Sequence, residues 1–407
     1  MGLFSSRVNK EHIELVLDIG NKSAGVALVE YDFGEKPPKI LFSERVFSNA
    51  RREKDLENSL SILIKDLNTL LYRALSYSVS KKIKPTKISC FCSSPWFISE
   101  THILKIKQPE PVIFSERILD KMIKGSEQQF LASKDSNVLS VKEDLELVEK
   151  RITSIKLNGY STHKPYGKKA KEIEMSIFLG AISKEAKSLI EDSIKRVWRG
   201  LPIYFHTFPM ASFAILKNTS NTYDSFLLVN VLQDITDVSL VHNDVILDTV
   251  SFPMGKVNII ERIEKECNLD YELASSAFSM FIKNEIHSEH SEKFNSVLES
   301  AKKDWATHFE NACNILMKKT VIPPIVYIIA SDRALSFFES IINNFGFGGY
   351  VSSNKDLKVY PINRSLFDKY ISYSSSSHKD FFLEIESLYL NLITPKEEKI
   401  IDNYILE

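Results

Sequence analysis

Two stretches of this chain, LVLDIGNKSAGVALVE from Leu15 to Glu30 and LLVNVLQDITDVSLV from Leu227 to Val241, are one pattern used twice. In the first, Leu15, Leu17 and Ile19, then Val26 and Leu28, recur at strand period on either side of the turn formers Gly20, Asn21, Lys22 and Ser23. Laid over it without gaps, the second stretch puts Asn230 on Asp18, Leu232 on Gly20, Asp234 on Lys22 and Ile235 on Ser23. It also matches Val26, Leu28 and Val29 with Val238, Leu240 and Val241. A strand-turn-strand unit repeated in this way implies two similar halves whose turns could face one another across a cleft.

The first turn has the chemistry to hold a phosphate. Its amides point into one concavity, Lys22 and Ser23 add a charge and donors, and Asp18 at the strand end could hold a magnesium ion through water. A single D-x-G-x-K-S also fits a plain buried hairpin with a solvated turn. The second copy is what turns the reading toward a nucleotide clamped between two turns.

At 407 residues the chain is too long for one ordinary core and suits several domains. Its 52 basic and 53 acidic side chains nearly cancel, so the overall balance gives no reason to expect nucleic acid as a partner. The basic loop from Lys164 to Lys171 reads either as solvated surface or as a contact surface. The four cysteines, Cys90, Cys92, Cys267 and Cys313, make no disulfide framework, and a metal at Cys90 and Cys92 lacks two further evident ligands. No stretch reaches the roughly eighteen apolar residues of a membrane span. The start, MGLFSSRVNKEH, lacks a signal-peptide core, so the expected location is the cytoplasm with at most a peripheral place at the inner face of the membrane. Gly2 with Ser6 matches the short N-myristoylation pattern by coincidence, while Leu3, Phe4 and Arg7 leave a weak contact with a bilayer or a partner open.

In order along the chain, a third strand from Lys39 to Phe47 is followed by a helix with Leu56, Leu60, Leu63, Leu67, Leu70 and Leu71 at helical spacing. A buried strand then runs from Lys87 to Cys92. Between Phe97 and Ile182, strands alternate with one helix from Ser115 to Phe130, an α+β insertion. A strand ending at Pro253 leads through Met254 and Gly255 into a helix near Asn258, where backbone amides could meet an anion or simply turn the chain. The segment from Val257 to Met317 reads as helix with a solvated loop near His287 to Ser291. His287 and His290 stand three apart there without a third ligand and read as exposed surface. A last helix carrying Phe382, Ile385, Leu388 and Tyr389 also bears Glu384 and Glu386, and is expected to pack on the body rather than on anionic lipid.

The matched hairpins, the helical insertion of the second half and the strand-to-helix turn at Ala330, Ser331 and Asp332 together resemble the superfamily of actin, sugar kinases and heat-shock ATPases. The segment from Val148 to Ile182 is similar to the extra SHS2-type subdomain of bacterial FtsA-like and PilM-like proteins. The resemblance implies an α/β fold of two actin-like, ribonuclease H-like halves around a cleft. Residues 1–92 and 183–222 would form the first half, and 93–182 the inserted subdomain. Residues 223–256 and 319–407 would form the second half, and 257–318 its helical subdomain.

The resemblance also implies ATP and magnesium in that cleft. Asp18, Gly20, Asn21, Lys22 and Ser23 would form the first phosphate loop, with Asp18 on the metal, and Asn230, Thr236 and Asp237 the second. Gly255, Ala330 and Ser331 would lie nearby. Several positions depart from the family pattern. Asn230 replaces an aspartate, Leu232 a glycine, Ala330-Ser331 a Gly-Gly pair, and Phe208 before Pro209 the glutamate that positions or activates water. Losing placed metal, water and charge costs orders of magnitude in phosphoryl transfer, so no catalytic residue is assigned and the expectation is a degenerate or very slow ATPase. The implied role is a scaffold that docks on the cytoplasmic tail of an inner-membrane protein in a pilus or secretion-like assembly. The alternative is an FtsA-like division tether with real ATP-dependent polymerisation that binds a tubulin-like protein. Self-association remains open in either.

Overall fold

The computed structural model describes residues 12–20, 22–32, 36–47, 56–132, 144–283, 291–331, 334–347, 356–375 and 377–397. The chain opens on β1 (His12–Ile19), β2 (Ser23–Asp32) and β3 (Lys36–Phe47), then α1 (Leu56–Lys81) and β4 (Lys87–Cys92). The insertion follows as β5 (Phe97–Ile113), α2 (Glu116–Ala132), β6 (Leu145–Leu157), β7 (Tyr160–Ser161) and β8 (Lys169–Ser183). Next come α3 (Lys184–Val197), β9 (Ile203–Thr207) and α4 (Phe208–Thr219). They lead to a second meander of β10 (Phe226–Val231), β11 (Thr236–His242) and β12 (Val245–Phe252). The remainder is α5 (Lys256–Cys267), α6 (Tyr271–Ile282), α7 (Ser291–Leu316), β13 (Ile325–Ala330), α8 (Leu335–Asn344), β14 (Lys358–Pro361), β15 (Ser372–Tyr373) and α9 (Phe381–Glu397).

The repeated sequence pattern becomes repeated geometry. β1 pairs antiparallel with β2 and parallel with β4, and β10 pairs antiparallel with β11 and parallel with β13. Both turns close with the same hydrogen bond, Gly20 N to Ser23 O at 3.0 Å and Leu232 N to Ile235 O at 2.9 Å. Two sheets result, in the orders β15-β3-β2-β1-β4-β9 and β14-β13-β10-β11-β12-β5-β8-β6-β7.

Alternation along each strand decides which core a side chain enters, because successive residues point to opposite faces. Leu15, Leu17 and Ile19 pack with α1 and α3, whereas Val16 enters a second core shared with α4 and α9. Likewise Leu227 and Val229 pack with the helices of the second half, while Phe226 and Leu228 meet that same α4 and α9 core. The two halves are therefore joined by a common apolar layer. Each fully buried side chain in it contributes about 1.5–3 kcal/mol by area.

One of the expected boundaries differs. Residues 319–407 do not all belong with the second hairpin, because β15 pairs with β3 and α9 packs across β1, β2 and β3. Every residue from Phe381 to Leu390 is buried, so α9 is enclosed on all sides and fits only between layers. The insertion extends the second sheet rather than the first, with Glu100 of β5 opposite Asp248 of β12 and Lys319 bound to both carboxylates at 2.9 and 3.5 Å. The helical run expected from Val257 to Met317 comprises three helices among the described residues, and the loop expected near His287 to Ser291, with His287 and His290, lies outside them but for Ser291, where α7 begins. Among the described residues no helix is long and apolar enough to cross a membrane.

Candidate functional site

Register places the candidate residues in two polar rows facing the α4 and α9 layer. Across the first sheet Asp18 stands opposite Gly25, and Gly25 opposite Arg45. Across the second, Asn230 stands opposite Asp237, and Asp237 opposite Ser251. Both rows lie at the strand ends beside the two turns.

The first row is filled by ions. Arg45 donates to Asp18 Oδ2 at 2.5 Å, to Asp380 Oδ2 at 2.5 Å and to Ser23 Oγ at 3.1 Å. Asp380 also caps α9, accepting from the amides of Phe382 and Leu383 at 3.1 Å each. Burial lowers the hold of Arg45 on its proton, but the two carboxylates outweigh it and push its pKa above the ordinary value. For Asp380, burial is likewise overcome by Arg45, leaving the carboxyl below its ordinary range. Burial lifts Asp18 in spite of the guanidinium. Glu386 of α9, with no exposed surface, is raised well above its ordinary value by burial first and by the Asp18 charge second.

The second row is a chain of hydroxyls and amides. Ser251 donates to Asp237 Oδ1 at 2.6 Å and lies 2.8 Å from Ser94 in the turn between β4 and β5. Asn230 Nδ2 donates to Ser212 of α4 at 3.2 Å. Burial pushes Asp237 up to about 6 against the help of Ser251. Asp237 Oδ2 and Asn230 Oδ1 are buried without a hydrogen-bond partner.

Several expected phosphate contacts are spent elsewhere. The Thr236 hydroxyl points to the opposite face, donating to Met254 O at 2.7 Å and accepting from Trp305 Nε1 at 3.1 Å. The N-terminal amides of α5 are consumed as well. Gly255 N donates to Asn258 Oδ1 at 2.7 Å, Lys256 N to Leu232 O at 3.3 Å and Val257 N to Gln233 O at 2.6 Å. At Gly255 the second turn is so close that a Cβ would lie 2.6 Å from Leu232 O; glycine lets these segments touch but leaves no cradle for an anion. Lys22 reaches across the cleft to Glu261 of α5 at 3.3 Å. Ala330 is buried opposite Val231 in the core formed with the helices of the second half, and the Ser331 carbonyl accepts from Ala334 and Leu335 at the start of α8. Asn21 and Asp332 lie outside the described residues.

Between the turns the described residues leave a cavity of about 20 Å³, lined by Asp18, Ser23 and Arg45 on one side and Leu232, Gln233 and Asp234 on the other. That is room for about one water. Among the described residues no three acidic, histidine or cysteine side chains gather as metal ligands. Asp18, expected on magnesium, faces a guanidinium instead. Magnesium and ATP do not fit this arrangement. Sequence reading missed Arg45, Asp380 and Glu386; the only local signal was Asp380 before an apolar run, a helix-start pattern.

No protein-family model and no curated protein matches the sequence. In structure the chain is similar to one from a PilM-PilN type IV pilus biogenesis complex. The two are 11% identical, the match covers 94% of this chain and 98% of that one, and the TM-score is 0.57. A protein of actin-like ATPase fold from Bacteroides thetaiotaomicron is 11% identical over 95% of this chain and 99% of that one, TM-score 0.42. The ethanolamine utilization protein EutJ from Carboxydothermus hydrogenoformans is 12% identical over 93% and 90%, TM-score 0.44. The chain shares its fold with that PilM-PilN chain over nearly its whole length.

Proposed function

We propose that this chain is an actin-like docking protein whose interlobe site is held shut by its own side chains, so that it works by engaging other proteins rather than by turning over ATP. The observation that supports this most directly is Arg45. It occupies the carboxylate that a metal would need and, with Asp380, leaves the first row with two carboxylates to one guanidinium. A polyphosphate entering there would meet uncompensated negative charge, and a second turn with Leu232 in place of glycine could not approach it.

Fold analogy supplies the rest of the proposal: a scaffold at the cytoplasmic face of the membrane that docks on the tail of an inner-membrane protein in a pilus or secretion-like assembly. The test is calorimetric titration of the purified full chain with Mg-ATP, together with a turnover assay. We expect no binding tighter than millimolar and background hydrolysis. Micromolar binding with hydrolysis that disappears on Asp18→Ala would overturn the closed-site reading. A pull-down from membranes that recovers a tubulin-like division protein rather than pilus or secretion components would overturn the proposed assembly.

A further inference from the structure

Strand β5 runs for 17 residues but meets β12 at one pair only, Glu100 opposite Asp248. Beyond that pair its inner side stays bonded to β8, from Thr101 opposite Phe178 to Lys107 opposite Glu172, while its outer side pairs with no strand among the described residues. A row of main-chain donors and acceptors left open in this way is a template for another strand. It is short, because Pro109 has no N–H to offer and ends the usable run.

The two faces of this edge differ. Leu104 and Ile106 are half-buried against the apolar core beneath α2, whereas Ile103, Lys105 and Lys107 are exposed on the other face. On that exposed face Lys105 and Lys156 share Glu174 at 2.6 and 3.1 Å, and Lys107 pairs with Glu172 at 3.0 Å, so lysines outnumber carboxylates. At its far end β5 meets the start of β8, Ile113 opposite Lys169, where the basic loop enters. Lysines on an open edge repel a second copy of the same edge. The same charges attract a strand of opposite sign.

We propose that the outer edge of β5 from Ile103 to Lys107 captures an extended acidic segment of a partner protein as an added strand. A segment alternating apolar and acidic residues sets its apolar side chains beside Leu104 and Ile106 and its carboxylates beside Lys105 and Lys107. Main-chain hydrogen bonds supply the affinity and the alternation supplies the register. The inference deepens the protein-docking reading above and rests on it.

The test uses the full chain and an acetylated hexapeptide alternating valine and glutamate. Two controls accompany it, the same peptide with lysine for glutamate and the same peptide N-methylated at alternate amides. The acidic peptide binds, the lysine and N-methylated peptides bind at least tenfold more weakly, and deuterium exchange slows over 101–108. The folded double variant Lys105→Glu/Lys107→Glu reverses the charge preference. Equal binding of all three peptides, protection elsewhere in the chain, or no binding at millimolar peptide overturns the proposal. If the double variant still recovers the membrane partner of the wild-type chain, this edge is excluded while docking itself stands; a wild-type chain that recovers no partner sinks the broader reading instead.

Discussion

Asp18, Gly25 and Arg45 stand side by side across the first sheet, and Asn230, Asp237 and Ser251 stand side by side across the second. The backbone is the same in both places, down to the hydrogen bond that closes each turn. The chemistry is not. The first row is a buried triad of one guanidinium and two carboxylates from three chain segments, and the second is a hydroxyl and amide network around one carboxyl group pushed up to about 6. A repeated fold thus preserves the position of a polar row while leaving its charge free to change, and with it any capacity for a metal and a phosphate.

Breaking the first row has the largest expected effect. Arg45→Met leaves Asp18 and Asp380 buried without their cation, and removing one partner of a buried ion pair costs about 3–5 kcal/mol. Urea denaturation measures it. The triple variant Arg45→Met/Asp18→Ala/Asp380→Asn should recover most of the loss, since an asparagine side chain still caps α9. If the single variant is as stable as the wild type, the ion pair does not hold the site shut.

The second row makes a prediction of opposite sign. Asp237 has a raised pKa in the folded state, so its contribution to stability is fully present below about pH 4 and is lost as the pH rises through about 6. Asp237→Asn keeps the bond from Ser251 and never ionises. It should therefore stabilise the protein at pH 8, by up to about 3 kcal/mol, and have little effect at pH 4. Thermal melts across this range check it, and a constant difference between the two proteins would contradict the burial of a titrating carboxyl there.

The pair that bridges the rows should matter least. Lys22 and Glu261 lie at the rim of the cleft, Glu261 a quarter exposed, so Glu261→Gln should cost less than about 1 kcal/mol and lose its effect in high salt. A larger, salt-insensitive cost would make this contact the main latch between the halves.

Much of the fold is readable from local pattern. Residues alternating at period two around a four-residue turn specify each hairpin, and their recurrence specifies two similar halves. The departures at Asn230, Leu232 and Phe208 already indicate weakened phosphate chemistry, since each is a change of charge or volume at one position. The candidate site was less legible. Thr236 belongs to the repeated motif, yet its hydroxyl serves Met254 and Trp305 on the opposite face of the sheet. Gly255 looks like the entrance to an anion site, but the turn packed on it takes the amides.

The sequence by itself determined the two hairpins, the α+β insertion and the apolar last helix, because these depend on neighbours a few residues apart. Only the tertiary structure decided that α9 returns to the first sheet and brings Asp380 to Arg45, two residues 335 positions apart. Helical spacing records which residues share a face, and carries no record of the sheet that will cover it. The partner of a buried charge is set by packing across the whole chain, and here that packing put a guanidinium where the repeated pattern had suggested a metal.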